Sequence, residues 1–171
     1  MRARSKAREA ALHLLYRIEI SREDYNQAFK SYCQEHDLPA DIADFSFILI
    51  DGVLKNIKSI DSLIKKYVKN WVIERMAVID RNILRISCFE LLFYEDIPPK
   101  VSINEAIELA KRFGDIDSPR FVNGMLDKIY RSECKVPSRS KDPSSCDAET
   151  GLDVPVSGNS GSEHHKKQEN P

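Results

Sequence analysis

The sequence predicts an all-α fold of about seven helices, and three observations lead there. Apolar residues recur at intervals of three and four from Arg4 to Tyr130, with no convincing alternating strand between them. Explicit helix start and stop signals crowd the stretch from Ser102 to Lys128. Near Glu133 the composition turns abruptly to Ser, Pro, Gly and charged residues. A segment of that kind cannot bury enough apolar surface to offset its ordering entropy, so residues 134–171 read as a disordered polar tail behind a domain spanning 1–133.

Taken in order, Ala7, Ala11, Leu14, Leu15 and Ile18 form the apolar stripe of a first helix. Tyr25, Phe29 and Tyr32 mark a second over Glu23 to Gln34, with Ser21 as its expected cap and Asp24 three residues on. After Pro39, the residues Ile42, Phe45, Leu49, Val53 and Ile57 continue one long stripe. A break near Ser59 sets off a fourth helix carrying Ile60, Leu63, Ile64 and Tyr67. The fifth, Arg75 to Tyr94, has Ile79, Ile83, Ile86, Leu91 and Phe93 around most of its circumference, as a helix at the centre of a bundle should. Ser102 and Glu105 have the spacing of a capping box, and Gly114 suits a left-handed position past a helix end. Ser118 then caps a last helix with Pro119 at its first position. Within that helix Gly124 costs about 1 kcal/mol against alanine, which suggests close packing there.

A chain of 171 residues is long enough to bury a sizeable core. It has no run of roughly 20 apolar residues to span a membrane, and no apolar segment follows its basic first residues as in a secretory signal. Cys33, Cys88, Cys134 and Cys146 are scattered, which fits reduced thiols in the cytoplasm and neither a disulfide framework nor a metal site. Of 26 basic and 27 acidic residues the tail holds five and six, so the helical part carries 21 of each. That balance excludes a uniformly basic coating, and any nucleic-acid site must be local.

One local site is evident. Arg2, Arg4, Lys6 and Arg8 fall within eight residues that contain no acid. Arg4 and Arg8 stand one turn apart, and guanidinium groups grip phosphates through paired charge-assisted hydrogen bonds. A solvated basic terminus is the plainer alternative. The run Lys55, Lys58, Lys65, Lys66 and Lys69 reads instead as a solvated helix face. No Walker A loop, dinucleotide-binding turn, nucleophile elbow or H-E-x-x-H motif is present, and Asp80, Glu90 and Glu95 form no acid–base pair, so neither an enzyme nor a cofactor is expected.

The pattern Arg4-x-Lys6-Ala7-Arg8-Glu9 with Leu14-Leu15-Tyr16 recurs with Ile79-Asp80-Arg81-Asn82-Ile83-Leu84-Arg85 and Phe89-Glu90-Leu91. Val101-Ser102-Ile103-Asn104-Glu105-Ala106, Glu108-Leu109-Ala110-Lys111 and Phe121-Val122-Asn123-Gly124 follow in order. Over residues 3 to 131 the chain resembles the NusB family of transcription antitermination factors. The resemblance implies two small, roughly perpendicular helical bundles. It implies binding of the boxA element in ribosomal RNA leader transcripts, a heterodimer with the ribosomal protein NusE, and assembly with RNA polymerase and other Nus factors. Either a monomer or a homodimer is compatible with it.

Carried over residue by residue, the arginine-rich start supplies Arg4, Lys6 and Arg8, to which Arg2 adds a further cation; Ser5 stands where many members are basic. Tyr16, Asp117 and Phe121 match positions near RNA, with Arg120 beside them, and Tyr16 and Asp80 match the partner surface. Phe121 suits base stacking, although a core position for its ring is the competing reading. Asp117 would repel phosphate and suits a base edge or Arg120 instead. Asn104 and Asn123 belong to the motifs and are expected to act structurally. Methyltransferases with a fused domain of this kind are excluded, because the tail is too short for a nucleotide-binding fold. The remaining alternative is a helical protein-interaction module without specific RNA binding.

Overall fold

The computed structural model describes residues 2–68 and 73–134, and the expected tail lies outside these apart from Cys134. Seven α-helices appear, and no strand, among the described residues: α1 Ala3–Ser21, α2 Tyr25–Glu35, α3 Ala40–Lys55, α4 Ile57–Tyr67, α5 Val78–Phe93, α6 Pro99–Phe113 and α7 Ser118–Ile129. A 3₁₀ turn at Ile73–Arg75 precedes α5, and a π-helical turn at Tyr130–Cys134 follows α7. No described helix is long and apolar enough to cross a membrane.

The helices pack in two groups that share α5. Helices α1 and α3 lie against each other and against α5, with α2 against α1; α6 and α7 pack together on the rest of α5, joined by α4. Every residue from Asp80 to Glu90 is buried, so α5 runs through the centre of the domain although six of these residues are polar. Arg81, Arg85 and Glu90 make ion pairs to other helices, whereas Asp80 Oδ1, Arg81 Nε and Glu90 Oε2 have no hydrogen-bond partner among the described residues. Arg85 Nε and Nη2 donate to both carboxylate oxygens of Asp61 on α4, each at 2.8 Å, and Arg85 Nη1 reaches Glu19 of α1 at 3.1 Å. Arg81 also pairs with Glu19. Three helices are thereby tied at one end of the domain. The Cys88 thiol sits wholly inside α5, and burial pushes its pKa up to about 12, so it is an inert core group.

The helix ends differ from the sequence expectation in informative ways. Asp24, not Ser21, caps α2, accepting from the N–H groups of Asn26 at 3.0 Å and Gln27 at 3.1 Å. Ser21 still belongs to α1, where its hydroxyl donates to the Arg17 carbonyl. The break between α3 and α4 falls at Asn56, whose amide donates to the Gly52 carbonyl and terminates α3. Helix α5 begins at Val78 rather than Arg75, because the preceding residues form the 3₁₀ turn.

The Ser102–Glu105 pair is not a capping box. Pro98 and Pro99 start α6 one turn earlier, with φ fixed for a first helical residue, so Ser102 is buried inside the helix. Gly114 is not left-handed; its φ is −93°. What requires glycine there is space, since a Cβ would lie 2.5 Å from Ser118 Cβ and 2.8 Å from the Ala110 carbonyl oxygen. Ser118 Oγ accepts from Asp115 N at 2.9 Å, closing the corner from within instead of capping α7. Gly124 is exposed and a Cβ there would meet nothing, so close packing is not its reason. The glycine that packs tightly is Gly52, where a Cβ would fall 2.1 Å from the Phe89 ring.

Candidate functional site

Ala3 to Ser21 form one uninterrupted helix because alanine, leucine, arginine and glutamate favour it and nothing within it interrupts the hydrogen-bond ladder. Its buried side faces α3 and α5, so the first-turn side chains divide by position. Arg2, Arg4 and Lys6 are exposed. Arg4 lies over the Phe45 ring at 5.4 Å, a cation–π contact that holds the guanidinium at the surface. The first turn of α1 contains no acid, and no side chain caps it. Free N–H groups and the positive end of the helix dipole therefore add to the three cations. Such a surface attracts anions.

Arg8 does not belong to that surface. The expectation that it pairs with Arg4 on phosphate is overturned: Arg8 is only 2 % exposed. Its Nε donates to Glu90 Oε1 at 2.8 Å and its Nη1 lies 3.4 Å from Glu105 Oε2. The guanidinium thus joins α1, α5 and α6, and it also stacks on Phe45 at 5.5 Å. Glu105, expected to cap a helix, instead receives this charge and a 3.0 Å hydrogen bond from Ser5 Oγ.

Further contacts show α1 and α6 running side by side in the same direction. Glu9 holds Arg112 through two bonds, at 2.7 and 3.0 Å, and the rings of His13 and Phe113 meet edge to face at 5.1 Å. Between the two helices lies a groove of about 340 Å³ lined by Arg2, Ser5, Glu105, Glu108, Leu109 and Arg112. Tyr16, one turn beyond His13 and 43 % exposed, continues along α1 in the direction in which α6 ends at its corner with α7. Asp117 is exposed in that corner.

Arg120 and Phe121 lie elsewhere. They line a second groove, of about 430 Å³, together with Tyr67, Met125 and Lys128. Phe121 is half-buried there and packs against the core, so its ring is neither a free platform nor a fully enclosed core residue. Tyr67 and Lys128 were not expected from sequence. In the sequence Tyr67 is only an apolar position of α4, and the one signal for Lys128 is that Arg120, Gly124 and Lys128 recur every four residues on α7.

Asp80 is misassigned as a surface residue. It is 9 % exposed, beneath the Ser118 corner, and burial raises its pKa, with Asp115 nearby acting in the same direction. Asn104 and Asn123 are exposed and make no side-chain hydrogen bond among the described residues, so the structure gives neither a structural role. The lysines of α3 and α4 behave as expected of a solvated face: Lys55, Lys58, Lys65 and Lys66 are exposed, while Lys69 lies outside the described residues.

A helical domain whose first helix starts with exposed cations and no acid in its first turn, and whose buried ion pairs join helices, belongs to the class of all-helical binding proteins. The chain is a member of the NusB family, whose model matches residues 5–131. It is 46 % identical over 130 residues to the transcription antitermination protein NusB of Chloroherpeton thalassium, covering 75 % of this chain and 61 % of that protein. A relative of the same name from Syntrophus aciditrophicus is 46 % identical over 130 residues, covering 76 % and 81 %. Among solved structures, the antitermination factors NusB and NusE in complex with dsRNA align at a TM-score of 0.71 and 32 % identity, over 77 % of this chain and 98 % of that one. The family is one of non-enzymatic factors, and this member is not an enzyme.

Proposed function

We infer that this protein is a cytoplasmic transcription antitermination factor that binds boxA-type RNA of ribosomal leader transcripts together with NusE. In that role it joins RNA polymerase with other Nus factors. The observation that carries the reading is the start of α1, where Arg2, Arg4 and Lys6 are exposed around an uncapped helix end free of acids. Phosphate binding needs such a concentrated charge on a domain that is otherwise neutral. The 32 % identical structure containing NusE and dsRNA supports both partners. Tyr16 lies further along α1, in the direction of the α6–α7 corner that carries Asp117. Arg120 and Phe121 offer a second, aromatic contact for a single strand that passes from α1 towards α7.

A homodimer that covered the start of α1 would compete with RNA for the same cations. The rival reading, a protein-interaction module, has no use for them. Titration of a boxA-containing RNA with the full chain, with and without NusE, separates the two. Binding that tightens markedly when NusE is present is the expected result. Absence of binding in both titrations would leave the interaction module as the better account.

A further inference from the structure

Beyond the basic start of α1, the end of α5 presents an aromatic residue that folding alone does not explain. Phe93 is 46 % exposed although it closes the most deeply buried helix of the domain. It is the outer member of a connected set of rings. Phe93 lies nearly parallel to Phe89, with centroids 6.2 Å apart and planes 19° from each other. Phe89 lies 6.2 Å from Tyr94, and Tyr94 lies 5.9 Å from Phe45, over which Arg4 rests. Phe89 and Phe45 are buried, so the exposed area of the set is on Phe93 and Tyr94. Val101, 42 % exposed, and the exposed Lys100 follow at the start of α6.

We propose that Phe93 is a stacking platform for a base of the single-stranded RNA whose phosphates the start of α1 holds. This rests on the RNA-binding reading above and extends it to a contact on another helix. Single-stranded nucleic acids are held by a cationic track interleaved with aromatic faces, because every base offers a π-face whatever its identity. Here the set of rings runs from the cation Arg4 to the solvent at Phe93. Phe89 packs beside the Phe93 ring in a nearly parallel plane, and about half of the Phe93 surface stays open to solvent. Glu95 and Asp96, also exposed, follow Tyr94 and exclude a phosphate-binding role for this end of α5. Its contribution is therefore stacking, which does not release counterions. That charge pattern favours a base over a phosphate at Phe93.

The test measures boxA RNA affinity across a range of salt concentrations for the wild-type chain, for Phe93→Ala, for Phe93→Trp and for the triple change of Arg2, Arg4 and Lys6 to alanine. Phe93→Ala is expected to weaken binding about 5- to 100-fold with the salt slope unchanged, and Phe93→Trp to retain affinity. Helical circular dichroism should be the same for all four proteins, since Phe93 is half-exposed. Unchanged affinity of Phe93→Ala, with the triple change still lowering the slope, would overturn the platform and leave the RNA reading intact. The same result accompanied by altered self-association in sedimentation would assign Phe93 to a protein contact instead. Failure of the wild-type chain to bind RNA would remove both.

Discussion

Replacement of Arg8 by alanine is expected to destabilise the domain by about 3 to 5 kcal/mol, the cost of leaving a buried charge without its partner. Glu90 is the group left behind. It is 2 % exposed, and its Oε1 accepts from Arg8 Nε at 2.8 Å. Glu105 would lose its contact as well, but it is partly exposed and water can compensate it. Urea unfolding monitored by circular dichroism measures the effect. The double change Arg8→Met with Glu90→Leu should recover much of the loss, because well-packed apolar residues often replace a buried ion pair without penalty. Wild-type stability in Arg8→Ala, together with a reduced salt slope of RNA binding, would return Arg8 to the phosphate-binding group from which its burial removes it.

The second large effect is expected at Gly52. Helices α3 and α5 approach so closely there that a Cβ would fall 2.1 to 2.7 Å from three atoms of the Phe89 ring. Alanine is otherwise a better helix former than glycine by about 1 kcal/mol, so propensity alone predicts stabilisation. Overpacking of a filled core costs typically about 1 to 3 kcal/mol and decides the sign here. Phe89 cannot yield easily, because it is itself packed against Phe93 and Tyr94. Gly52→Ala should lower the thermal midpoint, and a raised midpoint would show that the two helices can separate without loss.

These two residues also mark where sequence reasoning succeeds and where it stops. The helices were legible because each buries a face at regular spacing, as Ile42, Phe45, Leu49 and Val53 do on α3. Helix ends were less so. Ser102 and Glu105 have the spacing of a capping box, but the same spacing places any two residues on one face of a helix interior. The prolines at 98 and 99 were the stronger start signal. The burial of Arg8 is not legible locally for a different reason: its partner Glu90 is 82 residues away, and no local pattern announces that meeting. Asp80 lies in a motif that resembles a surface, yet the α6–α7 corner covers it. Conversely, Phe93 fits the apolar pattern of α5, whereas the helix ends there and leaves it half-exposed. Burial of a charge, or exposure of a ring, depends on which distant helix arrives opposite it.

What remains of the basic start after Arg8 is withdrawn is three cations on the solvent side of α1, and the functional reading depends on them. The most direct measurement is the dependence of boxA RNA affinity on salt concentration for the wild-type chain and for the triple alanine variant at Arg2, Arg4 and Lys6. Each phosphate neutralised on a single strand contributes about 0.7 to the slope of log affinity against log salt. Loss of three contacts should therefore reduce the magnitude of the slope by about 2 while the helical signal stays constant. A variant that binds with the wild-type slope would show that the phosphates are held elsewhere and would contradict the assignment.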